Sequence, residues 1–91
     1  MLESRVTVDN RLGLHARAAA QLVKVSGKFS SRISLIREDN SWVADAKSIL
    51  GILTISASNG TPLVIQVDGE DELLALEAVL KLFSARFGES Q

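Results

Sequence analysis

Arg32-Ile33-Ser34-Leu35-Ile36-Arg37-Glu38-Asp39-Asn40-Ser41-Trp42-Val43-Ala44 decides how this chain folds. From Arg32 to Arg37 apolar and polar residues alternate, with Ile33 and Leu35 on the inner face, the pattern of a strand covered on one side. Glu38-Asp39-Asn40-Ser41 is turn chemistry. Trp42-Val43-Ala44 then forms a short strand that folds straight back on the first. So tight a turn implies antiparallel pairing, because a parallel partner needs a crossover of roughly a dozen residues or more.

Working outward, Val6 and Val8 alternate with Arg5 and Thr7 as an earlier strand, and Asn10-Arg11-Leu12-Gly13 breaks it. Ala16 to Lys28 follows a helical period. Ala19, Leu22, Val23 and Ser26 fall on one side, and Arg17, Gln21, Lys24 and Lys28 on the other. Gly27 suggests the end of this helix. Downstream, Lys47 to Leu53 is a short apolar stretch with room for one or two helical turns. Ser56 to Gly60 is a loop, and Pro62 opens a fourth strand in which Leu63, Ile65 and Val67 alternate with Val64 and Gln66. The last element is a helix with Leu73, Leu76, Leu80, Phe83 and Phe87 as its apolar stripe. Acid from Asp68 to Glu72 suits its N-terminus, Glu77 and Lys81 are spaced to pair, and Gly88 ends it. The order β-α-β-β-α-β-α predicts a two-layer α+β domain spanning residues 1–91. Asn59-Gly60 and Trp42 read as structural.

Composition narrows the function. The 91 residues are 46% hydrophobic, enough for one small core. No cysteine is present, so disulfides and thiolate metal sites are out, and one histidine argues against a zinc or haem centre. A net charge of -1 argues against nucleic acid as a partner. No apolar run reaches membrane-spanning length and the N-terminus has no signal-peptide core, so a cytoplasmic protein without membrane insertion is expected.

That single histidine, His15, sits in Gly13-Leu14-His15-Ala16-Arg17, where a loop becomes a helix. Free N–H groups and the positive dipole end make a helix N-terminus an anion site. An imidazole there is a nucleophile beside a phosphate cradle, and Arg17 adds a bidentate phosphate ligand. A cation in the first turn is unfavourable for the dipole, a cost better explained by a phosphate partner than by stability. The expectation is that His15 carries a phosphoryl group.

Leu14-His15-Ala16-Arg17 together with Ala46-Lys47-Ser48-Ile49-Leu50-Gly51, on this element order, resembles HPr, the histidine-containing phosphocarrier family of the bacterial phosphotransferase system. The likeness runs from Val6 to Phe87, and the ending Leu82 to Phe87 is reminiscent of the nitrogen-related branch, NPr. The resemblance implies an open-faced β-sandwich, a four-stranded antiparallel sheet covered on one side by three helices. It implies His15 as the phosphoryl acceptor and donor through Nδ1, Arg17 as the phosphate contact, and Ser48 as a regulatory phosphorylation site. It further implies Enzyme I as donor, an Enzyme IIA protein or domain as acceptor, and a bifunctional HPr kinase/phosphorylase acting on Ser48. A docking surface of Ala16, Ala20, Gln21, Lys24, Lys28, Ile49, Leu50 and Leu53 is implied, as are a monomer, no cofactor and a role in sugar transport. The chain would be a carrier within a relay rather than a stand-alone catalyst. One departure is Ala18, where the family usually has proline. Alanine restores an N–H and keeps helix propensity, so a slightly softer first turn is expected without loss of activity.

Other readings stand beside these. Arg17 could be a solvated residue, Lys24 and Lys28 an ordinary polar helix side, Ile49, Leu50 and Leu53 core, and Ser48 a helix cap for which Asp45 competes. Two rival functions follow. One is a regulatory HPr-like binding module working through Ser48. The other is a plain interaction domain of ferredoxin-like build.

Overall fold

The structure, a computed structural model, describes residues 1–89; residues 90 and 91 of the expected domain lie outside the described residues. Strand β1 (Leu2–Thr7) leads to helix α1 (Ala16–Ser26), the hairpin β2 (Arg32–Arg37) and β3 (Trp42–Asp45), helix α2 (Ile49–Ile55), strand β4 (Pro62–Asp68) and helix α3 (Glu72–Ser84). The four strands form one antiparallel sheet in the order β1-β4-β2-β3. β4 lies between β1 and β2, with Ile65 opposite Ser4 on one side and Leu35 on the other. Pro62 is tolerated in this inner strand because it is the first residue, where a missing N–H costs least.

Alternation puts Ile33, Leu35, Leu63, Ile65 and Val67 on the covered face, all with no exposed surface. Against them pack Ala18, Ala19 and Leu22 of α1, Ile52 and Ile55 of α2, and Ala75, Val79 and Phe83 of α3. The architecture is the expected open-faced sandwich, a four-stranded antiparallel sheet with three helices. No helix among the described residues is long and apolar enough to cross a membrane.

Several boundaries differ from the sequence reading. α1 stops at Ser26, so Lys28 lies beyond it, because Gly27 takes the C-cap. α2 begins at Ile49 rather than Lys47, because Ser48 is its N-cap, with Oγ accepting from Gly51 N at 3.1 Å. It runs on to Ile55, where Arg37 Nη1 donates to the carbonyls of Ile55 and Ser56 at 2.9 Å each and satisfies the last turn. Leu73 is not in the apolar stripe: it is 61% exposed, and Ala75 and Val79 carry the buried face instead. Trp42 lies on the edge strand β3 and is half exposed. Glu77 and Lys81 close no ion pair among the described residues. Helix α3 ends at Ser84, and Phe87 belongs to a separate turn described below.

Asp71, at the start of α3, spans two elements. Its carboxylate accepts from the amides of Ser30 and Ser31 at 2.9 and 3.0 Å and from the Ser31 hydroxyl. The Ser31 hydroxyl, followed by the Ser30 amide, holds this carboxyl below its ordinary value. A carboxyl depressed in the folded state contributes stability that is complete above its unfolded pKa and is lost as pH falls through the folded one. Asp71→Asn is therefore expected to flatten the acid limb of the stability-against-pH curve in urea titrations. An unchanged slope below pH 4 or so would show that Asp71 has no such role.

Candidate functional site

The chain approaches α1 through a tightly held loop. Gly13 takes φ 68°, open to glycine and unfavourable with a Cβ, and donates to Asn10 O at 3.1 Å. Leu14 is buried, and its amide donates to Ala57 O at 2.8 Å. These contacts pin the start of α1 against the loop between α2 and β4. His15 is the N-cap residue, extended at φ -79° and ψ -179°, and its side chain makes no capping bond. Ala19 is the residue whose amide reaches His15 O, at 2.8 Å, so the amides of the preceding turn lie outside the helical ladder.

The ring is engaged elsewhere. His15 Nε2 lies 2.9 Å from Glu89 Oε2. Asn10 Nδ2, in a fully buried residue, donates to the same oxygen at 2.8 Å and to Gly13 O at 2.8 Å. Leu12 N donates to Glu89 Oε1 at 3.3 Å. The His15 hydrogen bond, followed by that from Asn10, holds the Glu89 carboxyl below its ordinary value. The imidazole stays reachable, with 28% of its side chain exposed, whereas the Glu89 side chain is 13% exposed.

Arg17 is exposed on the first turn of α1, and its guanidinium makes no side-chain bond among the described residues. Ala18, by contrast, is fully buried core. Ala16, Ala20 and Lys24 are exposed, Lys28 is exposed beyond the helix, and Gln21 is partly covered. α2 packs beside α1 and presents Ile49, 42% exposed, and Leu50, 78% exposed. Leu53 is partly buried against the core, so it contributes less to that surface than the sequence reading gave it. Ser48 is half-buried and does act as a cap; Asp45 does not compete, because its Oδ1 accepts from Lys47 N at 2.8 Å instead.

Glu89 and Asn10 are the site residues that sequence reasoning missed. Glu89 lies 74 positions from His15 along the chain, and Asn10 read only as a turn former. Gly88 was the available signal, since a glycine near a chain end marks a sharp change of direction.

Comparison with known proteins bears on this arrangement. The family model described as "PTS HPr component phosphorylation site" matches residues 2–85. The phosphocarrier protein HPr of Xylella fastidiosa (strain Temecula1) is 46% identical over 89 residues, covering 98% of both chains. The phosphocarrier protein NPr of Klebsiella oxytoca is 34% identical over 88 residues, covering 97% of both. Among solved structures, HPr-C-His from Thermoanaerobacter tengcongensis is 36% identical and superposes with a TM-score of 0.94 over the full length of both chains. With the strand order, the partly exposed imidazole at the head of α1 and full-length similarity in agreement, the chain belongs to the HPr family of phosphocarrier proteins of the phosphotransferase system.

Proposed function

We propose that His15 is the phosphoryl acceptor of this carrier, receiving the group from Enzyme I and passing it to an Enzyme IIA protein or domain. One observation supports this above the others: the chain's single imidazole stands partly exposed at a helix N-terminus. Phosphoryl transfer asks a protein mainly for positioning and charge stabilisation. Here the first-turn amides and Arg17 would meet the phosphoryl oxygens, while the partner enzymes supply the rest of the in-line displacement. The site is proposed to work in the cytoplasm, with the chain acting as a monomer.

Incubation with Enzyme I and phosphoenolpyruvate, followed by intact mass, is expected to add one acid-labile phosphate. His15→Ala should abolish the gain with the fold retained. Arg17→Ala should slow uptake about 10- to 100-fold, the loss of one charged phosphate contact. A mass gain that survives in His15→Ala would remove the assignment.

Docking is proposed through Ala16, Ala20, Gln21, Lys24 and Lys28 with Ile49, Leu50 and the edge of Leu53. The lysines suit an acidic partner surface, and the exposed apolar pair suits its core. Regulatory phosphorylation by a kinase/phosphorylase is proposed at Ser48, where a dianion beside Ile49 would have to be desolvated on docking. Leu50→Asp and Ser48→Asp are both expected to weaken Enzyme I binding. Leu50→Asp should leave folding stability within about 0.5 kcal/mol, as for an exposed position. Parental Enzyme I affinity in titration calorimetry would exclude the patch.

A further inference from the structure

After Ala85 the backbone enters the left-handed region at consecutive residues: Arg86 at φ 55°, Phe87 at 53° and Gly88 at 80°. Glycine accepts this freely, but residues carrying a Cβ do not. Such conformations persist where their surroundings over-determine them, and they cluster at functional sites. Backbone bonds close this one, from Gly88 N to Ala85 O at 3.0 Å and from Glu89 N to Arg86 O at 2.9 Å, and two side-chain contacts tie it down. The Phe87 ring is 1% exposed and packs edge-on against Phe83, with centroids 4.9 Å apart. Arg86 Nε lies 3.3 Å from Asp9 Oδ2. The turn sends the chain back across the head of α1 and delivers Glu89 to His15.

The chemistry of that delivery is specific. An ionised carboxylate only accepts hydrogen bonds. With Glu89 Oε2 at 2.9 Å, the ring hydrogen lies on His15 Nε2, and Nδ1 of the neutral ring keeps its lone pair. Asn10 and Leu12 donate to the same carboxylate and hold it in place.

We infer that Glu89 is a positioning residue for phosphoryl transfer: it selects the His15 tautomer that offers Nδ1, and it neutralises the charge that the ring acquires. This rests on the reading of His15 as acceptor. In the step, the Nδ1 lone pair forms the N–P bond while the bond from phosphorus to the donor breaks and the donor keeps its electron pair. No proton leaves the ring. Nε2–H stays donated to Glu89, and the positive charge on the phosphorylated ring faces the carboxylate. Onward transfer reverses this: the N–P electron pair returns to Nδ1 and the neutral ring is restored. A carboxylate behind an imidazole in a hydrolytic triad does the same two things, orienting the ring and stabilising its cation without taking its proton.

The test uses the full chain, ring-labelled with 15N at histidine, as parent, Glu89→Ala and Glu89→Gln. Nitrogen shifts of the neutral ring, recorded without any donor, report the tautomer. The parent is expected to be almost wholly the Nε2–H form, and Glu89→Ala a mixture. Uptake from phosphorylated Enzyme I should fall about 10- to 100-fold in Glu89→Ala, and also in Glu89→Gln, which lacks the charge, with unfolding midpoints near that of the parent. A parental tautomer ratio in Glu89→Ala, or uptake within about twofold of parent in both variants, overturns the inference while His15 stands as acceptor. A parent that takes no phosphate from Enzyme I overturns the reading of His15, and this inference with it.

Discussion

Replacing Gly13 by alanine is expected to remove about 2–5 kcal/mol of folding stability, the sum of left-handed backbone strain and of overpacking. A Cβ at this position would stand 2.5 Å from Ala57 O and 2.8 Å from Ser58 Cα, both backbone atoms that cannot rotate away. Domains of this size hold roughly 5–15 kcal/mol in total, so the loss is a large fraction of it. The protein can relieve the contact only by lifting the loop, which breaks the 2.8 Å bond from Leu14 N to Ala57 O and moves the head of α1. Gly13→Ala should therefore lower the urea midpoint and slow phosphate uptake together. A variant with parental stability would show that the loop is looser than these contacts imply.

Phe87→Ala carries the second large effect. Phe87 is buried near the end of the described chain and is the ring that ties the left-handed turn to the core. Truncating a buried phenylalanine costs about 3–5 kcal/mol. In a domain of this length that corresponds to a fall in Tm of roughly 10–30 °C. Glu89 would also lose its tether, so the His15 ring should sample both tautomers at temperatures where the fold persists. A loss below about 1 kcal/mol would mean that the turn is held by something other than this ring.

The elements were legible because their signals are local. Ile33 and Leu35 alternate, Leu22 and Ala19 recur at helical spacing, and Gly27 and Ser48 punctuate. The placement of β4 between β1 and β2 was not legible, because nothing in Leu63 to Val67 names its neighbours; the resemblance implied the open-faced sandwich but no strand order. Leu73 was misread because leucine at helical spacing reads as core whichever face the helix turns, and the small Ala75 lets α3 lie close to the sheet on another face. At the site, His15 and Arg17 stood out because chemistry and helix start coincide within a few residues. Glu89 did not, because it arrives through a backbone conformation that Arg86 and Phe87 do not favour locally.

The strand order also has a consequence for synthesis. β1 leaves the ribosome first, yet its partner is β4, with Leu2 opposite Val67. Until Asp68 has emerged, the N-terminal strand has no neighbour, while the β2–β3 hairpin can close on its own within about 1–10 μs. Non-local pairing of this kind slows folding, because the loop must be closed before any contact rewards it. The order of events expected on the ribosome is thus the hairpin first and α1 beside it, with β1 waiting as an unpaired edge until β4 inserts and closes the sheet in a late, cooperative step.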